Sequence, residues 1–178
     1  IYLATYYKAE KNIAEKLIEL RNYTNINAVE NLDKKLKKIE KEQKIELSDK
    51  QKEAVKLVND NNVCVITGGP GTGKTTIIKS IIDLYNNEEL KITLCAPTGR
   101  AAKRMTEATG EEAKTLHRVL EIGKFASEDE INPDLLVTPI DANIVIVDEA
   151  SMIDLFLMNY LMKALYNGTK LVLVGDEN

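Results

Sequence analysis

The sequence has no tryptophan, one histidine, two cysteines and four prolines, and aromatic residues make up only 5% of it. Two cysteines build neither a disulfide framework nor a metal site of four thiolates. Cys64 and Cys95 each lie inside an apolar, strand-like run, so both are expected to be small buried hydrophobes in a reduced, cytoplasmic compartment. No apolar run approaches the roughly 20 residues that span a bilayer, and no secretory signal pattern stands at the start. No membrane partner is therefore expected. The formal net charge of -4 lacks the basic excess of a dedicated nucleic-acid module, although local patches outweigh totals. There is no internal repeat or low-complexity stretch. The first residue, Ile1, is not a methionine, which suggests a piece of something longer.

What is present is an ordinary globular composition, with 178 residues, 44% apolar and 29% charged. That length suits one domain with its own core and a small appendage. Helical spacing of Ile13, Ala14, Leu17 and Ile18 predicts a helix over Lys8 to Arg21. A second is expected over Ala28 to Lys44, with Leu32, Leu36 and Ile39 as its apolar stripe and a solvated face of mixed charge. These helices read as an N-terminal segment over 1–45, preceding a domain over 46–178.

From Leu47 the pattern alternates. "LSDKQKEAVKLV" predicts a helix, "NVCVIT" a strand, "TTIIKSIIDLY" a helix, "KITLCAPT" a strand and "GRAAKRMTEAT" a helix stopped by Gly110. "KTLHRVLEI" reads as a short helix, and Gly123 to Ala142 as a polar loop or insertion. "NIVIVDEA" is a strand, "MIDLFLMNYLMKAL" a helix and "TKLVLVGD" a last strand. The strands are apolar throughout, so the fold class expected is α/β, with a parallel sheet covered by helices on both faces.

Gly68 through Thr75, "GGPGTGKT", match G-x-x-x-x-G-K-[ST] at every fixed position, after a strand and before a helix. Glycine backbone lets Gly68, Gly69, Pro70, Gly71, Thr72 and Gly73 wrap phosphate oxygens closely, and the helix start adds its positive end. Lys74 is expected at the β- and γ-phosphates, with Thr76 beside it and the Thr75 hydroxyl on Mg²⁺. The acidic pair Asp148–Glu149 ends a strand, where ligands bind in open α/β sheets. Asp148 suits the metal, through water, and Glu149 suits the general base for an attacking water. A water-activating carboxylate fits a hydrolase better than a nucleotide kinase. No N-K-x-D segment for guanine and no L-S-G-G-Q stretch occurs, which leaves a mechanical ATPase. Gln51 offers the donor and acceptor that adenine needs. Ser48-x-x-Gln51 is equally a capping box, and the two roles can coexist.

Thr98 is positioned to cap the next helix, and Arg100, Lys103 and Arg104 then fall within its first two turns. Cations there oppose the helix dipole, so a bound anion is expected. The neighbouring loop already holds the ATP phosphates, which makes a nucleic-acid backbone the candidate. No aromatic residue lies near this segment, so base stacking must be sparse or come from elsewhere. The helix at "MIDLFLMNYLMKAL" is apolar nearly all round and is expected to be buried, with part of it free to meet another domain.

Taken together, "LSDKQ", "GGPGTGKTT", "CAPTGRAAKRM", "TLHRVL", "VDEASMID" and "LVGDEN" resemble, in order and wording, the RecD-like family of superfamily 1 DNA helicases. The resemblance is strong over Leu47 to Asn178 and weaker over "IYLATYYKAEKNIAEKL". It implies a RecA-like P-loop NTPase fold and an ATP- and Mg²⁺-dependent motor moving 5′ to 3′ on single-stranded DNA. It implies that Pro97, Thr98, Gly99 and Arg100 lie along the DNA path and that Thr115 and His117 sit in a neighbouring DNA-facing element. Read without it, His117 is an ordinary surface or core histidine. Gly175 and Asp176 match the family's Gly-Asp pair, with Asp176 on the nucleotide side. The glutamine expected after two intervening residues falls one position past Asn178, and a second RecA-like domain with an arginine finger is expected beyond. The piece alone should bind ATP weakly and hydrolyse it poorly. Nuclease-complex subunits are further expected partners. Two other readings stay open: a P-loop ATPase acting on something other than DNA, and a nucleotide-binding module inactive by itself.

Overall fold

A computed structural model of the chain describes residues 3–122 and 136–176. Its centre is a five-stranded, wholly parallel sheet of β1 (Val63–Thr67), β2 (Ile92–Ala96), β3 (Ala113–Thr115), β4 (Ile144–Val147) and β5 (Lys170–Gly175), in the order β1-β5-β4-β2-β3. Alternation along the strands divides the core in two. Leu94, Ile144, Ile146, Val172 and Val174 face one layer. Cys95, Val145, Val147 and Leu171 face the other.

The first layer carries α2 (Leu32–Gln43), α3 (Asp49–Asp60) and α4 (Lys74–Asn86), with α5 (Gly99–Thr109) beside them. The second carries α1 (Ala4–Asn22), α6 (Leu116–Val119) and α7 (Leu155–Ala164). Helices α1 and α7 lie side by side and run in one direction. Tyr6 meets Phe156 edge-on with centroids 5.1 Å apart. Farther along, Asn12 Nδ2 donates to Asn159 Oδ1 (3.3 Å) and Lys16 Nζ to Asn167 Oδ1 (2.6 Å). Such mutual cover explains why α7 is apolar almost all round, as its sequence led us to expect.

Several expectations need correcting. The second helix starts at Leu32 rather than Ala28, because Asn31 adopts left-handed backbone and sets the start. "KTLHRVLEI" is not one helix. Ala113–Thr115 pairs with β2 as a strand, and only Leu116–Val119 is helical. The apolar helix begins at Leu155, where the Asp154 carboxylate accepts from the N–H groups of Phe156 and Leu157 at 2.9 Å. Residues 150–152 form a separate 3₁₀ turn. Most of the polar stretch at 123–142 lies outside the described residues. Cover on both faces also fails at β1. Among the described residues it pairs only with β5, Val65 is 66% exposed, and Cys64 is only half-buried. Cys95 is buried as expected, and burial pushes its thiol up to about 12.

Because every strand is parallel, all five point their C-terminal ends to one edge. The loops after β1, β2, β4 and β5 gather there, and that edge holds the candidate site.

Candidate functional site

At the edge, a cavity of about 420 Å³ is lined by Pro70, Gly71, Lys74 and Thr75 from the β1–α4 loop, by Asp148 and Glu149 after β4, and by Gly175 and Asp176 after β5. Its size falls within the range of small-molecule sites. The loop's shape follows from two glycines. At Gly68 a Cβ would lie 2.7 Å from Thr72 Oγ1, so any larger residue would open the loop. Gly73 sits at φ +84°, and a Cβ there would come within 2.4 Å of Gln51 Nε2. Thr72 Oγ1 donates to the Gly69 carbonyl at 2.8 Å, which closes the turn. Thr76 stands in the first turn of α4, where its carbonyl accepts from Ser80 Oγ.

The Lys74 ammonium donates to the carbonyl of Gly68, to that of Gly69 (3.2 Å) and to Asp176 Oδ1 (2.5 Å). Phosphate oxygens would compete with these acceptors for its three N–H groups. Thr75 is exposed at the helix start. Across the cavity, β4 is buried at every position and ends in Asp148, whose N–H continues the ladder to the Cys95 carbonyl (3.0 Å). Asp148 Oδ1 accepts from the Glu149 N–H (2.9 Å). Glu149 holds left-handed backbone, φ 54° and ψ 37°, a conformation that costs a non-glycine residue on the order of 1 kcal/mol or more. Strain of this kind clusters where a side chain must be aimed, and no local sequence signal announces it.

Gln51 sits where both of its anticipated roles are open. Its Oε1 accepts from the Ser48 N–H (2.9 Å) and its N–H donates to Ser48 Oγ (3.3 Å), completing a capping box. Its Nε2 is left over Gly73. The cap has thus taken one lone pair of the amide oxygen and leaves the amide nitrogen toward the phosphate loop.

A second, shallower recess of about 310 Å³ adjoins the first. Thr98, Arg100, Ala101, Arg104, Glu149 and Met152 line it. Thr98 Oγ1 caps α5 by accepting from the Ala101 N–H (3.2 Å). Pro97 and Gly99 flank it in the turn that leaves β2, and Arg100 and Arg104 are exposed. Arg104 also lines the larger cavity. That corrects the argument that the anion awaited at this helix start lies apart from the nucleotide phosphates: Arg104 faces both. Met152, 58% exposed, was missed from the sequence. Thr115 Oγ1 is occupied in capping α6 through the Arg118 N–H (3.2 Å). His117 is exposed and lines a separate groove with Lys114, Arg118 and Thr138. The structure brings Arg100 and Arg104 together with Glu149, and Arg104 with Asp148 as well; it does not bring Thr115 or His117 into that recess. Among the described residues no aromatic lines either recess; the Tyr6–Phe156 pair stands at the first turn of α7.

A glycine loop between strand and helix, facing an acidic pair at the end of a nearby parallel strand, defines a P-loop domain of RecA-like fold. The chain belongs to the AAA domain family, whose model matches residues 51–178. It is similar to the RecBCD enzyme subunit RecD of Buchnera aphidicola subsp. Schizaphis graminum, at 38% identity over the whole chain and 32% of that protein. It is similar also to the ATP-dependent RecD2 DNA helicase of Deinococcus radiodurans, at 35% identity over the whole chain and 24% of that protein. Among solved structures, Bacteroides sp Pif1 in complex with ADP-AlF4 matches with 25% identity and a TM-score of 0.51, over 74% of this chain and 32% of that one. The RecD-like resemblance thus extends over the full sequence, N-terminal helices included. The chain spans about a third or less of the length of these curated relatives.

Proposed function

We propose that this chain is the first RecA-like motor domain of an ATP-dependent DNA helicase, coupling ATP hydrolysis to 5′–3′ movement on single-stranded DNA in recombination or repair. One observation carries the reading: the nucleotide-sized cavity and the cationic recess share a wall, made of Glu149 and Arg104. A strand lying on Arg100 and Arg104 would touch a residue that also faces the γ-phosphate end of the cavity. The fit is electrostatic. Guanidinium groups take phosphate oxygens bidentately and without regard to sequence, as a translocating motor requires.

In this reading Lys74 holds the β- and γ-phosphates, Gly68 to Gly73 offer backbone N–H groups, and Gln51 Nε2 donates to adenine. Thr75 and Asp148 present hard oxygen donors suited to Mg²⁺, which would neutralise developing phosphate charge. Glu149 takes the proton of the attacking water. Asp176, paired to Lys74, reports the state of the phosphate site to whatever follows β5. Residues 1–45 belong to the motor as a helical segment packed on 46–178. The second RecA-like domain with its arginine finger belongs to the remainder of the parent protein, nuclease-complex subunits are further partners of that protein, and its setting is cytoplasmic. Among the described residues no helix is long and apolar enough to cross a membrane.

The test uses the full-length parent protein. Its ATPase rate, measured with and without a single-stranded oligonucleotide, is expected to rise at least tenfold with DNA. No stimulation would remove the DNA motor and leave an ATPase for another partner.

A further inference from the structure

The run Lys170–Gly175 is a buried apolar strand that opens on a lysine. The Lys170 side chain is fully buried, with 0% exposure. Its ammonium donates to three carbonyl oxygens, those of Val58 (3.0 Å), Asn59 (2.9 Å) and Asn61 (2.9 Å). The first two close α3 and the third is its C-cap. A lysine has three donors, and here each has an acceptor at the negative end of a helix. The last turn of α3 is thereby bolted to the foot of β5, although the two are more than 100 residues apart.

The other end of α3 carries Gln51, whose Nε2 stands over Gly73. Helix α3 has 12 residues, about 18 Å at 1.5 Å per residue. Along that length it lies on β1, the strand with an open edge. Leu57 on the helix is 52% exposed and Val65 on the strand 66%. Its most extensive packing is on α4 and β1, Lys52 near its start pairs with Glu40 of α2 (3.0 Å), and Lys170 fixes its far end. Gln51 is the third residue of the helix, about 15 Å from Asn61 at that rise, so a tilt of roughly 6° about the Lys170 end would carry it about 1.6 Å, more than a hydrogen bond tolerates.

We propose that Lys170 is a positioning residue for nucleotide-base recognition, holding α3 so that the Gln51 amide stays at adenine height above the phosphate loop. The inference rests on the adenine role of Gln51 given above and on nothing about DNA.

The experiment uses the full-length parent without DNA. Dissociation constants are measured for ATP and for inorganic tripolyphosphate, which offers the phosphates and no base. The variants are Lys170→Met, Gln51→Ala and the double. Lys170→Met is expected to weaken ATP about three- to tenfold, the scale of one hydrogen bond, and to leave tripolyphosphate within about twofold. In the Gln51→Ala background Lys170→Met should add nothing further, because both act through one contact. Equal losses for the two ligands would make Lys170 a purely structural residue, and a full loss in the Gln51→Ala background would do the same. Normal ATP preference in Lys170→Met, with preference lost in Gln51→Ala, would overturn the proposal and spare the adenine reading. Unchanged preference in Gln51→Ala would overturn both. If Lys170→Met does not fold, Lys170→Gln, which keeps two of the donors, takes the same measurements with the same expected outcomes.

Discussion

The two edges of the sheet are built from the same five strands and treat polar groups in opposite ways. At the C-terminal edge, Thr75, Arg100 and Arg104 are exposed, Glu149 is held in left-handed backbone, and glycines replace side chains. At the N-terminal edge, polar groups are buried and mostly spoken for. Asn59 Oδ1 accepts from the Val29 N–H (2.7 Å) and its Nδ2 donates to the Val29 carbonyl (3.1 Å). Asn62 Nδ2 donates to the Leu20 and Tyr23 carbonyls, and Asn27 Nδ2 to that of Gly168. Lys170 joins them. One edge spends its polar groups on holding the 23–29 segment and α3 against the sheet. The other keeps them available for a ligand. Stability and chemistry are thus separated by the length of a strand, and substitutions at the two edges should separate in the same way, apart from Lys170, whose hold on α3 reaches Gln51.

The largest effect should come from the chemical edge. Glu149→Gln in the parent protein should lower the ATPase rate by about 10² to 10⁴, the range for loss of a general base, while nucleotide binding by equilibrium titration stays intact. Normal turnover would end the assignment of Glu149 as the base. Next, Asn59→Ala should destabilise the fold by about 2 kcal/mol in denaturant unfolding, because it strands two buried backbone groups of Val29. The ATPase rate of the folded fraction should not move. If turnover falls as steeply as for Glu149→Gln, the division between edges is wrong.

A pH series sharpens the contrast further. Burial holds Lys170 down at about 8 against 10.5 for a free lysine. Between these values the unfolded chain binds the proton that the folded chain has released, so this group's contribution to stability rises with pH through the window and falls away as pH drops through 8. Burial raises Cys64 and Cys95 above the ordinary 9.0, and burial raises Tyr85 as well, so those groups oppose the trend only above about pH 9. From pH 8 to 9 the wild-type unfolding free energy should climb, and Lys170→Met should be flat. An identical slope in both would show that another group titrates. The smallest effect expected is that of Thr98→Ala, which removes the α5 cap at a cost of about 1 kcal/mol and weakens single-stranded DNA binding slightly by loosening Arg100.

Much of this was legible beforehand, for identifiable reasons. The phosphate loop and the acidic pair are local patterns whose spacing is their geometry. The alternation of apolar strands and amphipathic helices dictated a parallel sheet. What was hidden depends on distant partners. Residues 113–115 are too few to show a period, and become a strand only because β2 lies alongside. The openness of β1 is a matter of which strand neighbours it. Asn31 and Glu149 share a left-handed conformation that their side chains do not announce. The dual facing of Arg104 follows from how α5 packs beside α4 and lines the cavity across from the β1–α4 loop. The Lys170 clamp had one faint sign, a lysine heading an otherwise apolar strand, and no sign of the carbonyls it meets.

The account stands on the shared wall of the two recesses, and reciprocal binding tests it most directly. In the full-length parent, the dissociation constant for a single-stranded oligonucleotide is measured with and without a non-hydrolysable ATP analogue, in wild type and in Arg104→Ala. The two sites should change each other's affinity about fivefold or more in the wild type, the usual scale of coupling, and by less than twofold in Arg104→Ala. An undiminished coupling factor in Arg104→Ala would contradict the claim that this wall carries the signal between nucleotide and strand.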